Sequence, residues 1–270
     1  MSAPNVTGSA ALLIDLYKEL FDGSQMRASS LKGLIIHTAD DLGRAGPDYM
    51  YGWGLMNTLA AANQIQTLYQ GHELRLKEDY LSSVNRRTNT YSVSSSGDEH
   101  LKITLCWTDP PGIIDPTSGD DRVPDLVNDL DVLVSGPGGE YFPYRLSYSN
   151  PTALPLKDSK NSVDNVEQIL IENPVPGNYT IQVSYDGYLS GFSQDYTVLV
   201  SGQSVSDSDN DNLPDWWEQQ FFGNLSKNGQ EDVDPWLAAA KNYFGVTGVE
   251  SSVGNSNCSG AGGSGVRSIG

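Results

Sequence analysis

The chain has few of the residues that would hold a polyanion or a bilayer. Of 270 residues only 16 are Lys or Arg, against 34 Asp or Glu, and the net charge is −18. Nucleic acid needs a basic surface to displace counterions from its phosphates, and anionic lipid asks for the same, so neither is an expected partner. No uninterrupted apolar run approaches the roughly 18 residues that span a bilayer, so no transmembrane helix is expected. Cysteine is scarce. Cys106 and Cys258 lie far apart without metal-ligand spacing and read as two unrelated thiols. Stability must then come from a hydrophobic core, for which the length is ample. The N-terminus lacks a basic stretch ahead of its first apolar run, and Asp15 interrupts that run, so it is no secretory signal.

The hydrophobic period changes along the chain. Val6, Ala10, Leu13, Tyr17 and Leu20 recur at three- and four-residue steps, which puts them on one helix face. Pro4 suits a first turn, and Asp22-Gly23 ends the helix. A second helix is expected over Met26–Thr38, and a third after Tyr51-Gly52-Trp53-Gly54, running through Ile65. From about Glu73 the period falls to two. Leu101, Ile103, Leu105 and Trp107 alternate with Lys102, Thr104 and Cys106, and similar runs cover Leu130–Val134, Tyr179–Tyr185 and Tyr196–Val200. Roughly seven to nine short strands between Gly- and Pro-rich turns predict a β-sandwich or jelly roll ending near Gly202. An acidic loop and an aromatic run, Trp216-Trp217-Glu218-Gln219-Gln220-Phe221-Phe222, follow. From Gly248 the Gly- and Ser-rich sequence is expected to be disordered. The chain thus divides into 1–70 (helical), 71–202 (all-β), 203–245 (loop and helix) and 246–270 (tail).

Two acidic stretches have the chemistry of cation sites. Read as a twelve-residue loop, Asp207, Asp209, Asp211, Asp215 and Glu218 occupy positions 1, 3, 5, 9 and 12, and Leu213 offers its carbonyl at position 7. This is the ligand order of an EF-hand loop, and it predicts calcium, which takes six to eight hard oxygens. Asn212 stands where the motif has Gly, and the preceding residues read as strand, so the loop is expected at a strand-to-helix junction. Asp125, Asn128, Asp129 and Asp131, with Asp120-Asp121 nearby, allow two outcomes: a second calcium site, or a polar hairpin end whose side chains bond their own backbone. His37 lies at a helix end and is expected to cap or pack there; His72 and His100 are expected at the surface.

Three N-terminal motifs carry a family resemblance. Met1-Ser2-Ala3-Pro4-Asn5-Val6-Thr7-Gly8 resembles the segment that follows the nucleophile in subtilisin-like serine peptidases (subtilases), where it opens a central helix. Leu31–Ala39 and Tyr51-Gly52-Trp53-Gly54-Leu55-Met56-Asn57 resemble the family's next helix and closing motif, in the same order. Trp107-Thr108-Asp109-Pro110-Pro111, Leu126–Asp131 and Asp164-Asn165-Val166-Glu167-Gln168 are similar to the jelly-roll domain that follows the catalytic domain in some secreted, calcium-dependent bacterial subtilases.

The resemblance implies a helical remnant of an α/β catalytic domain, then an all-β jelly-roll domain and a short calcium-loop–helix module. It implies the C-terminal part of a secreted serine endopeptidase acting on protein or peptide, with its export signal upstream of this chain. The catalytic Asp, His and Ser would all precede Met1, so the chain alone is expected to be inactive. The helix faces around Leu13, Leu20 and Ile36 are then expected to lie uncovered where a parallel sheet is missing. The alternative is a non-catalytic calcium-binding β-sandwich module for protein or carbohydrate.

Overall fold

The helices come first. In a computed structural model that describes residues 2–71, 73–112 and 124–204, α1 spans Ser2–Leu20, α2 Ala28–His37 and α3 Thr58–Tyr69. The periodic face of α1 turns inward: Leu13 is buried, and Leu16, Tyr17, Leu20 and Phe21 pack around it with Ala61 and Ile65 of α3. Tyr17 stacks on Phe21 at 4.5 Å, and Phe21 meets Tyr69 edge-on at 5.7 Å. α3 starts where Asn57 can cap it, its Oδ1 accepting from Ala60 N at 2.9 Å. α2 has no side-chain cap of its own. Glu78 supplies one from a strand, accepting from Arg27 N at 2.9 Å and from the Ser30 hydroxyl, which sets a carboxylate at the positive end of the helix.

Eight strands follow: β1 (Leu76–Ser82), β2 (Thr88–Ser95), β3 (Leu101–Trp107), β4 (Leu130–Gly136), β5 (Gly139–Tyr141), β6 (Val166–Ile171), β7 (Gly177–Tyr185) and β8 (Ser193–Ser201). They form two antiparallel four-stranded sheets, in the orders β1-β8-β3-β6 and β2-β7-β4-β5. The fold is therefore mixed, helices plus antiparallel sheets. The inner faces of the two sheets share one core. Leu101, Ile103, Leu105 and Trp107 of β3 meet Val132 and Val134 of β4 and Ile181 and Val183 of β7, with Tyr179 and Tyr196 fully buried among them.

The outer face of the first sheet is not left to solvent. Lys102, Thr104 and Cys106 alternate with the core residues of β3 as expected, yet Thr104 and Cys106 are completely buried because α2 lies across them. Leu34, Leu76, Leu199, Leu13, Ala61 and Ile65 make a second core between helices and sheet. Gly33 permits the close approach: a Cβ there would sit 2.8 Å from Leu199 Cδ1 and 3.1 Å from Cys106 Cβ. This corrects the expectation of uncovered helix faces. Leu13 is 1% exposed, and Leu20 and Ile36 are partly buried, because the outer face of β1, β8 and β3 offers small and apolar side chains of its own. The first two turns of α1, Ser2–Gly8, do stand exposed. Among the described residues no helix is long and apolar enough to cross a membrane. His72, Asp120-Asp121 and everything after Ser204, including the calcium-type loop and the aromatic run, lie outside the described residues.

Candidate functional site

Among the described residues the one buried histidine, His37, has the outline of a catalytic base without its chemistry. His37 closes α2 and is 2% exposed. Its Nε2 is 3.0 Å from Ser201 Oγ, a nucleophile-to-base distance, and its Nδ1 is 2.8 Å from Thr104 Oγ1. The position that a carboxylate would take in a triad is held by a neutral hydroxyl. Burial drives the His37 pKa down to about 3, helped by the Lys102 and Arg75 charges; Lys102 Nζ donates to the His37 carbonyl at 3.1 Å. A ring that binds a proton only near pH 3 is a poor base for a serine hydroxyl. His37 packs, as its sequence position suggests, and it joins α2 to β3 and β8. Gln168 Nε2, donating to Thr104 Oγ1 at 3.0 Å, extends the tie to β6.

The two acidic stretches have different outcomes. Asp207, Asp209, Asp211, Leu213, Asp215 and Glu218 lie outside the described residues. The Asp125–Asp131 stretch is described, and protein groups engage part of it. Asp109 accepts from Val127 N at 2.7 Å and Asn128 N at 2.8 Å. Asn128, fully buried, donates to Gln194 Oε1 and accepts from Ser190 N, both at 2.7 Å. Asp131 takes the Lys160 ammonium at 2.8 Å, and Lys160 also reaches Asp186 at 3.0 Å. Glu167, wholly buried, accepts from Val132 N at 2.6 Å and Asn161 N at 3.2 Å.

Electrostatic strain remains at this end of the sheets. Asp129 Oδ1 and Asp131 Oδ1 are buried with no partner among the described residues. Burial, then the Asp131 and Asp186 charges, pushes the Asp129 pKa up to about 6. Burial also raises Glu167 well above the ordinary carboxylate range. No group of three metal-ligating His, Cys, Asp or Glu converges among the described residues. The stretch's side chains bond Gln194, Ser190 and Lys160 rather than their own backbone as the hairpin-end reading had it, and Lys160 is the cation beside Asp131. Lys160, Asp186 and Gln194 carried no sequence signal, since each meets the stretch only through the fold.

The motifs converge on one seam between helices and sheets. Asn165 Nδ2 donates to the Trp107 carbonyl at 3.1 Å, and Lys32 Nζ of α2 donates to Asn165 Oδ1 at 2.7 Å. A pocket of about 280 Å³ opens beside this link, floored by Ile36, Pro47, Trp53, Tyr144 and Val166. The loop carrying Trp53 is closed by paired bonds of 2.8 Å between Asp40 and Leu55. Gly54 there adopts φ +105°, and a Cβ on it would meet the Asp40 carbonyl oxygen at 2.1 Å, so only glycine fits the motif's fourth position.

Residues 1–54 match the model of the subtilase family (Peptidase_S8). The serotype-specific antigen 1 of Mannheimia haemolytica is 32% identical over 103 residues, which is 38% of this chain and 10% of that protein. An extracellular serine protease of Serratia marcescens is 41% identical over 63 residues, 23% of this chain and 6% of the relative. The autotransporter lipoprotein NalP of Neisseria meningitidis serogroup B is 40% identical over 62 residues, 23% of this chain and 5% of the relative. The matched stretches are thus a tenth or less of these relatives' own lengths. Among solved structures, the CspB protease of Clostridium perfringens overlays with a TM-score of 0.27 and 11% identity, over 50% of this chain and 27% of its own, a likeness too weak to carry an argument.

Proposed function

We propose that the chain is the C-terminal part of a secreted, calcium-stabilised subtilisin-like serine endopeptidase. The match of residues 1–54 to the subtilase family carries this reading. The first motif is the one that follows the family's nucleophile, so α1 is the helix that presents the serine and this chain supplies scaffold. The dipole and first amides of such a helix help stabilise charge developing on a scissile carbonyl. The names of the Serratia and Neisseria relatives, an extracellular protease and an autotransporter, support secretion. The strand orders β1-β8-β3-β6 and β2-β7-β4-β5, eight strands in two facing sheets, support a jelly roll for the β part. Asp207, Asp209, Asp211, Asp215, Glu218 and the Leu213 carbonyl would hold one calcium, by the chemistry of alternating oxygens on a tight loop.

The test uses antibodies against this chain on supernatant from the source culture. They should capture a longer polypeptide that a fluorophosphonate probe labels on serine. Capture of unlabelled material alone, or labelling of the purified chain itself, overturns the assignment.

A further inference from the structure

The pocket beside the Lys32–Asn165 link is walled by described residues, drawn from α2, the Trp53 loop and the β part. Its volume of about 280 Å³ exceeds the roughly 150 Å³ that takes up one benzene molecule, so a ring with polar substituents fits. A cavity of about 50 Å³ lies beside it and shares Ile36, Pro47, Trp53 and Tyr144 as walls.

The aromatic walls are held by bonds of their own. Trp53 stands between two closed backbone pairs, Asp48 with Gly52 at 3.0 and 2.8 Å and Asp40 with Leu55 at 2.8 Å. The Asp48 carboxylate is engaged inside that loop, accepting from Met50 N at 2.8 Å, Tyr51 N at 2.6 Å and Arg44 N at 3.3 Å. Tyr144 is 4% exposed; its N–H donates to the Gln168 carbonyl at 2.9 Å, and the Lys157 ammonium lies 4.7 Å from its ring centre. Its hydroxyl, in contrast, has no hydrogen-bond partner among the described residues, and neither has the Trp53 indole N–H. Burial, then the Glu172 and Asp41 charges, pushes the Tyr144 pKa up to about 12, so the hydroxyl keeps its proton and can donate. A buried phenol without a partner is unfavourable unless water or a ligand meets it.

The rim carries one charge of each sign. Lys32 and Asp164 both line the pocket, and neither forms an ion pair among the described residues, although the chain has 34 acidic residues to 16 basic ones. Lys32 Nζ donates to Asn165 Oδ1 at 2.7 Å and keeps further N–H groups. Asp164 Oδ2 accepts from Asn161 Nδ2 at 2.8 Å, and its Oδ1 has no partner among the described residues. An ammonium and a carboxylate too far apart to pair, above an apolar floor, are complementary to a zwitterion with an apolar body. We infer that this pocket binds a free amino acid with an aromatic side chain, its carboxylate toward Lys32, its ammonium toward Asp164 and its ring against Trp53 and Tyr144. A sugar would find too few polar groups on a floor of Ile36, Leu146 and Val166, and a simple organic cation would meet the Lys32 charge. The inference does not rest on the peptidase reading, because every group it uses belongs to this chain.

The test titrates the full chain with L-phenylalanine by calorimetry and follows the Trp53 indole N–H by NMR. Phenylalanine should bind with a Kd at or below about 1 mM and shift that resonance. Phenylalanine amide lacks the carboxylate, N-acetyl-phenylalanine lacks the ammonium, and alanine lacks the ring. Each should bind about tenfold more weakly or worse, the scale of one hydrogen bond to a charged group or of one buried ring. Lys32→Gln should weaken phenylalanine about tenfold and leave the amide unchanged, whereas Asp164→Asn should weaken phenylalanine and leave the N-acetyl compound unchanged. That crossed pattern separates a lost contact from a disturbed fold, and the analogue series in the parent decides the matter where a variant folds poorly. No binding heat at about 10 mM phenylalanine, analogues that bind as well as phenylalanine, affinity unchanged in both variants, or binding that leaves the Trp53 resonance in place overturns the inference. Glucose binding more tightly than phenylalanine assigns the pocket to a sugar and overturns it as well.

Discussion

Replacing His37 with Gln should change how stability depends on pH, and the structure fixes the sign. The ring binds a proton near pH 6.5 in the unfolded chain, but only near pH 3 when buried against Thr104 and Ser201. Folding thus favours the neutral ring. The contribution is fully present above pH 6.5 and is lost as pH falls from there toward 3. The slope across that window is about 1.4 kcal/mol per pH unit, so the parent loses roughly 3 kcal/mol at pH 4.5 from this residue alone. Gln stays neutral at every pH and can keep one of the two hydroxyl contacts. Near pH 7.5 the variant should be less stable than the parent by about 1 kcal/mol, the value of one hydrogen bond. Near pH 4.5 it should be more stable by roughly 2 kcal/mol, and the two curves should cross near pH 6. Urea denaturation of both proteins at a series of pH values reads this directly, because contributions from shared carboxylates cancel in the difference. A difference that stays constant from pH 4 to 8, or a His37 resonance titrating near 6.5 in the folded protein, refutes the reasoning.

Gly33→Val should destabilise by about 1–3 kcal/mol, since a branched Cβ must displace Leu199 or Cys106; an unchanged urea midpoint would mean that α2 does not lie on the sheet. Asp129→Asn acts with the opposite sign to His37. The raised folded pKa, about 6, means that folding favours the protonated acid, and its ionisation destabilises increasingly as pH rises from the unfolded value near 3.8 through 6. The amide should therefore raise stability at pH 7.5 by about 1 kcal/mol, after discounting for partial exposure, and leave it unchanged near pH 3.5; a destabilised variant at pH 7.5 argues that a bound cation needs this oxygen. Calcium at a hundredfold excess over its dissociation constant should stabilise the proposed Asp207–Glu218 loop by about 2.7 kcal/mol, and Glu218→Gln should weaken calorimetric calcium binding; an absent binding heat in the parent removes the ion from the scheme.

The sheet core was legible because alternation reports which side chains share a face. Leu101, Ile103, Leu105 and Trp107 all lie in the inter-sheet core, as do Tyr196, Val198 and Val200. Alternation says nothing about what covers the other face. Lys102, Thr104 and Cys106 have the composition of a solvent side, and only the fold brings α2 over them. The polar stretch around Asn128 and Asp131 was ambiguous for a related reason. Its composition suits a metal or a turn, and what its side chains meet is set by residues far along the chain, such as Lys160, whose ammonium reaches Asp131 from 29 residues away. His37 was readable as a packing residue from its place at a helix end, yet its two hydroxyl partners come from strands β3 and β8.

The manner of helix docking bears on what the β part contributes. α2 is held by polar ties along its length: Arg27 and Ser30 on Glu78, Ser29 on Thr197 at 3.0 Å, Lys32 on Asn165, and His37 on Thr104 and Ser201. Between these ties Leu34 is completely buried with Leu199. α1 reaches the sheet indirectly, through the Leu13, Ala61 and Ile65 cluster that α3 shares. Removing the sheets would strip Leu34 and Ile65 of much of their cover, at roughly 1.5–3 kcal/mol for each large side chain returned to water. The sheet is then half of the helices' own core. In the proposed peptidase, a serine presented at the start of α1 would inherit its frame from a β fold that takes no part in proton transfer. Substitutions in the buried interface, such as Gly33→Val in α2, would then act on catalysis through the core that α2 shares with α1 and α3, without altering any reacting group.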